Sequence, residues 1–96
     1  MHATVRQYEG VENPADLIRE LQVSFLPLMK SIPGIIDYYF VDVGEAGGRM
    51  VSMSVFETEA GTEESNKRAA DWVRDHPNLI PTAKSVEAGE VVLRGE

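Results

Sequence analysis

Residues 35–43 read IIDYYFVDV, a β-branched and aromatic run that is apolar on both of its faces. In an extended strand alternate side chains point to opposite sides. One face would carry Ile36, Tyr38 and Phe40, and the other Ile35, Tyr39, Val41 and Val43. Residues 49–58 (RMVSMSVFET) repeat the pattern, with Val51, Met53 and Val55 opposed to Met50 and Phe56, between which lie Ser52 and Ser54. In the last strand-like run, 84–94, Val91 and Leu93 oppose Ala88 and Val92. Helices can cover one face of an antiparallel sheet, and the other face is then expected to be polar. Here it is not. A bare face of this kind exceeds the roughly few hundred Å² of apolar patch usual on monomers. A second sheet packed face to face at about 10 Å would bury it. The strand pattern predicts a homodimer through sheet-to-sheet packing.

The remaining segments supply the partners of these strands. Residues 3–9 (ATVRQYE) read as a first strand ending near Gly10. Asn13-Pro14 has the chemistry of a helix start, with Asn as N-cap and Pro at the first helical position. Leu17, Ile18, Leu21, Phe25, Leu28, Met29 and Ile32 follow at the intervals of one helical face. Pro27 interrupts that helix, since it lacks an N–H and crowds residue 23. Ser31-Ile32-Pro33-Gly34 ends it. A turn over residues 44–48 joins the hairpin strands. The spacing predicts a second helix from about Thr62, with Glu63 and Glu64 in its positive first turn. Its inward stripe is Ser65, Ala69, Trp72, Val73 and His76, and Pro77 stops it. Glu63–Lys67 and Glu64–Arg68 are i, i+4 pairs on its wet side. Gly89 marks a candidate bulge in the last strand.

The order is βαββαβ: an α+β, ferredoxin-like single domain over residues 1–96. Its four-stranded antiparallel sheet carries both helices on one face. The chain has nine Lys and Arg against sixteen Asp and Glu, a net charge of −7. Such a surface repels phosphate backbones and argues against nucleic acid. No cysteine is present, which removes thiolate metal sites, cysteine catalysis and disulfides. With only His2 and His76, a histidine-built metal site is not expected either. No apolar run approaches the roughly 20 residues of a membrane span, and no secretory signal is visible, so the expected location is cytoplasmic. An RNA-recognition motif would need basic and aromatic residues in the third strand, where RMVSMSVFET has one Arg and one Phe.

Five segments carry a family likeness: FLPLMKSIPG (25–34), YYFVDVG (38–44), SMSVFET (52–58), ESNKRAADWV (64–73) and EAGEVVL (87–93). Together they resemble small proteins of the antibiotic-biosynthesis-monooxygenase (ABM) type in the dimeric α+β barrel superfamily. The resemblance implies a dimer, and a cavity between each sheet and its own helices. It also implies chemistry of two kinds: oxidation of polycyclic phenols by O₂ without a cofactor, or binding and degradation of haem. The first kind uses an Asn and a Trp one turn apart on the second helix, together with an Arg. Here Asn66 and Trp72 are six residues apart, so their directions differ by roughly 120°. The second kind uses a first-strand Asn and a helix-exit His. This chain has Gln7 and His76 there, and His76 follows Trp72 by only one turn.

Candidate catalytic residues are therefore Asn66, Trp72 and His76, and candidate ligand-binding residues are Ser65, Asn66, Trp72 and Tyr38. Each has a packing alternative. Trp72 either anchors the second helix on the sheet or walls a cavity against an aromatic ligand. Ser65 and Asn66 are either polar residues early in a helix or groups that orient a carbonyl or phenolate. His76 is either a general base or a cap on the last helical carbonyls. Tyr38 and Tyr39 face opposite sides of their strand, one toward the cavity and one toward the interface. The expected function is binding of an apolar or aromatic small molecule, with cofactor-independent monooxygenation as the reaction. The alternative is a non-catalytic ligand-binding or assembly module.

Overall fold

The computed structural model describes residues 1–44 and 47–95. Its elements are β1 (His2–Tyr8), α1 (Pro14–Glu20), a π-helical turn (Leu21–Phe25), α2 (Leu26–Lys30), β2 (Ile35–Asp42), β3 (Met50–Phe56), α3 (Glu59–Asp75) and β4 (Ser85–Glu90). The strands form one antiparallel sheet in the order β2-β3-β1-β4. α3 packs on β1 and β3, and α2 packs on β2 and α3, so the helices share one face. This is the ferredoxin-like arrangement expected from the element order.

The first helix begins as its residues dictate: the Asn13 side chain accepts from the Asp16 N–H, and Pro14 fills the first position. Pro27 does not break the helix. Its effect is taken up one turn earlier, where the ladder widens and the Leu26 N–H reaches back five residues to the Leu21 carbonyl. That wider turn also holds Leu17, Leu21, Phe25 and Met29, each four apart, on one buried line. Leu28, expected on the same face, is left exposed.

β2 contains the sheet's irregularity. Ile35 pairs with Phe56 but Asp37 pairs with Val55, so Ile36 is an extra, unpaired residue. A one-residue bulge exchanges faces on either side of it. Ile35 therefore packs against the core beside Tyr38 and Phe40. Ile36 lines the outer face with Tyr39, Met53 and Val55. Strict alternation had assigned these two isoleucines the other way round. Gly89 is not a bulge: β4 pairs with β1 in unbroken register from Ser85 to Glu90, and the strand ends there rather than at residue 94.

α3 starts three residues earlier than expected. Thr58 is its extended N-cap residue, and Glu59, not Glu63 or Glu64, is the acidic residue of its first turn. The early start places Gly61 against the sheet, where a Cβ would lie 2.7 Å from Phe56 side-chain atoms. On the wet side Arg68 pairs with Glu64 at 3.4 Å. Of the turn expected at 44–48, Glu45 and Ala46 lie outside the described residues. Gly48, at φ +63, meets the Val11 backbone so closely that no side chain fits. Gly10 and Val11 donate to the Gly47 and Gly48 carbonyls and tie the end of β1 to the hairpin.

The inner face of the sheet carries Thr4, Arg6 and Tyr8 from β1 and Met50, Ser52, Ser54 and Phe56 from β3, all buried. No helix among the described residues packs on the outer face, where Tyr39 is 51% exposed and Val41 50%. No helix among the described residues is long and apolar enough to cross a membrane.

Candidate functional site

Arg6 is the unusual member of the inner face. It points under α3 and is only 3% exposed. Its Nη1 donates to Asn66 Oδ1 at 2.6 Å, and the Thr4 hydroxyl donates to the same oxygen at 2.9 Å. No ion pair joins Arg6 to a carboxylate among the described residues, and Nε is buried without a partner. A guanidinium taken out of water normally needs a paired charge and satisfied donors, since each buried unsatisfied polar group costs about 1–3 kcal/mol. Here the protein supplies an amide oxygen and leaves the charge uncompensated. Asn66 turns its oxygen to Thr4 and Arg6, so its Nδ2 donors remain for another acceptor.

Around this pair lies a pocket of about 260 Å³ between α3 and the β1–β4 edge. Its apolar lining is Ala69, Ala70, Val73, Ala83 and Val86, and its polar lining is Arg6, Tyr8, Asn66, Arg74 and Thr82. Behind Arg6 a much smaller cleft, about 10 Å³, runs inward between Phe25, Tyr38, Phe40 and Trp72. The two share Arg6, Tyr8, Ala69 and Val73. Burial raises the Tyr8 phenol above its ordinary 10.0, opposed by the charge of Arg6 and a hydrogen bond from it. Burial raises the Tyr38 phenol much further, against the opposing charge of Arg6. Both hydroxyls stay protonated at neutral pH and can donate.

The expected site residues do not all converge. Asn66 lines the larger pocket, and Trp72 and Tyr38 line the inner cleft. Trp72 is also core: it packs on Phe25 with ring centroids 5.5 Å apart, and its indole N–H donates to Ser24 at 3.0 Å. Ser65 lies elsewhere, fully buried and donating to the Thr62 carbonyl of its own helix at 3.0 Å. His76 is at the far end of α3, stacked on Trp72 at 3.9 Å with Nδ1 2.7 Å from the Trp72 carbonyl oxygen. Tyr39 faces outward. Arg6, Thr4 and Tyr8 were not anticipated. The signal was present in β1, where Ala3 and Val5 alternate with Thr4, Arg6 and Tyr8. Among the described residues no group of three or more His, Cys, Asp or Glu side chains is placed to hold a metal ion.

No protein-family model matches the sequence, and no curated protein matches it significantly. Solved structures do match, over nearly the whole chain. The Streptomyces coelicolor monooxygenase ActVA-Orf6, solved with its ligand nanaomycin D, superposes at a TM-score of 0.66 with 17% identity, covering 99% of this chain and 88% of that one. A Nitrosomonas europaea protein assigned as an antibiotic biosynthesis monooxygenase gives 0.72 with 9% identity, covering 97% and 100%. Rv0793 from Mycobacterium tuberculosis gives 0.71 with 11% identity, covering 99% and 98%. The chain has the ABM fold. At these identities the likeness is one of architecture, and the ABM fold of this chain carries its own residues at the sheet–helix pocket.

Proposed function

We propose that this ABM-fold protein binds an apolar, aromatic small molecule in the pocket beneath α3 and holds it by an anionic oxygen at Arg6 and Asn66. The observation that carries the reading is the buried Arg6 guanidinium with no carboxylate of its own. A phenolate or enolate oxygen would complete it, accepting from the guanidinium and from Asn66 Nδ2 in charge-assisted hydrogen bonds. The apolar wall would take the ring system, burying it as small-molecule sites do. Calorimetric titration with 1-naphthol tests this: binding by the wild type, weakened at least about tenfold in Arg6→Met, is expected. Equal binding by both proteins would refute it.

The reaction favoured by the ABM fold and by this geometry is cofactor-independent monooxygenation. Arg6 would hold the substrate as its electron-rich anion, and that anion would reduce O₂ directly. For an anthrone-type phenol, one oxygen atom becomes the new ring carbonyl and the other leaves as water, all four electrons coming from the substrate. Asn66 would steady the oxyanion, and Trp72 would set the depth to which the ring enters. Oxygen uptake with anthrone is the assay. Turnover by the wild type and its loss in Asn66→Ala and Trp72→Ala support the enzyme. Absence of wild-type turnover leaves the non-catalytic binding module, and full turnover after both substitutions together removes Asn66 and Trp72 as the residues that carry the reaction.

The partner proposed for the outer sheet face is a second copy of the chain. Support comes from the exposed apolar run of Tyr39, Val41 and Met53 across β2 and β3.

A further inference from the structure

Trp72 and His76, one turn apart at the end of α3, form a connected set of side chains with Glu20 and Ser24, where the first helix widens. The Trp72 indole N–H donates to Ser24 Oγ at 3.0 Å. Ser24 Oγ lies 3.0 Å from Glu20 Oε1 and 3.1 Å from the Glu20 carbonyl oxygen. A hydroxyl has one proton, so it serves only one of these acceptors fully at a time. His76 closes the set: its ring stacks on Trp72 at 3.9 Å, and its Nε2 lies 3.9 Å from the same Glu20 Oε1.

The other ring nitrogen fixes where the proton is. Nδ1 is 2.7 Å from the Trp72 carbonyl oxygen, which only accepts, so the neutral ring carries its hydrogen on Nδ1. Nε2 then turns a bare lone pair toward a carboxylate oxygen, and no hydrogen bond joins them at 3.9 Å. One proton on Nε2 changes this. The ring keeps its bond to the Trp72 carbonyl and gains a charged donor aimed at Glu20. A charge-assisted bond of about 2.8 Å would close the gap by about 1 Å. Ser24 can release that oxygen, since the Glu20 carbonyl is a second acceptor within reach. The new charge also lies against the face of the Trp72 indole, which attracts cations.

Among the described residues, Glu20 is the acidic group within ion-pair distance of His76. On the same helix Asp71 and Asp75 both pair with Arg74. The stretch from Pro77 to Ala83 carries no charge. Glu12 lines the groove along Pro77–Pro81 and makes no ion pair with His76. Arg19, beside Glu20, pairs with Asp16.

We propose that His76 is a pH-operated clamp between α3 and the first helix. One proton on Nε2 fastens Glu20 to the end of α3 across the π-helical turn, and its loss releases Glu20. Imidazoles take up such a proton between about pH 5 and 8. The fastened arrangement therefore exists on the acid side of this range and is lost as pH rises through it. The clamp needs no ligand and goes beyond the pocket reading.

Trp72 is the chain's one tryptophan, so its emission reports the stack, and a charged imidazole in contact quenches indole emission. From about pH 8 to about pH 5.5 wild-type emission should fall in one step. In His76→Gln and in His76→Phe, which keeps a ring on the indole but takes up no proton, emission should stay level. His2, beside Glu59 and Glu63 in a groove that Trp72 does not line, remains in both variants as an internal control. Melting temperatures report the Glu20 contact. Glu20→Gln should melt with wild type at about pH 8 and about 2–4 °C below it at about pH 5.5, the scale of a partly exposed ion pair in a domain this size. In the His76→Gln background the same change should show no such dependence on pH. A level wild-type emission, a step that survives in either His76 variant, or a Glu20→Gln deficit equal at both pH values overturns the clamp.

Discussion

Arg6 and Asn66, sixty residues apart in the chain, meet at 2.6 Å under α3, where the buried charge faces an amide oxygen and no carboxylate pairs with it among the described residues. A structural arginine would be paired with a carboxylate or left in water. Keeping one buried and half satisfied lowers stability, and functional sites are where such costs persist. Arg6→Met, which keeps the length and removes the charge, should therefore raise the stability of the unliganded protein by about 1–2 kcal/mol while weakening ligand binding at least about tenfold. Thermal unfolding with and without 1-naphthol checks both halves. A loss of stability in the variant would mean that Arg6 is structural.

Gly61 sets the distance between α3 and the sheet. A methyl there would meet the Phe56 ring and Cβ at 2.7 Å, and Phe56 is fully buried. Gly61→Ala gains about 1 kcal/mol of helix propensity but loses about 1–3 kcal/mol to overpacking. The expected result is a net loss of stability and weaker ligand binding, because Asn66 rides on the same helix. Denaturant unfolding and a 1-naphthol titration would measure the two.

Alkaline pH should expose the two inner tyrosines. Their phenols are raised from 10.0 in the folded chain by burial, above the value they have when unfolded. Their contribution is complete below about pH 10 and falls as pH rises past it, because the unfolded chain releases those protons first. A pH series of denaturation midpoints should turn downward near pH 10. In Tyr38→Phe the downturn should be shallower, and an identical slope would remove Tyr38 as its source.

The outer face makes a separate prediction. Met53 is central in β3 and pairs with Val5 and Tyr39 on its two sides. A charge there would be buried in any sheet-to-sheet dimer and harmless on a monomer. Light scattering should give twice the 10.6 kDa chain mass for wild type and the chain mass for Met53→Glu. A wild-type monomer at micromolar concentration would dismiss the dimer.

Much of this architecture was legible in the residues, for local reasons. The Asn13-Pro14 start, the two-faced strands and the stripe from Ser65 to Trp72 depend on cap chemistry and periodicity, which act over a few residues. The faces of Ile35 and Ile36 were not legible. A bulge is decided by pairing with β3, and one extra residue reverses every side chain on one side of it. The π-helical turn was half visible in Pro27, which signals a defect without saying where the ladder absorbs it. The site was the least legible part. A charged residue in a strand reads as a solvent-facing one, and only the packing of α3 over Thr4, Arg6 and Tyr8 turns β1 into the floor of a pocket. Asn66 could be named from the family likeness, but its partner could not.

The most direct test is the ionisation of a phenol inside the pocket. Absorbance of 1-naphthol bound to wild type, followed against pH, reports its own proton. An apolar pocket alone raises a phenol's pKa, whereas a guanidinium in contact lowers it by about 1–3 units. Bound 1-naphthol should ionise at least about one unit below its value in water, and that depression should disappear in any residual complex with Arg6→Met. A bound phenol that titrates at or above its value in water would contradict the anion-binding site.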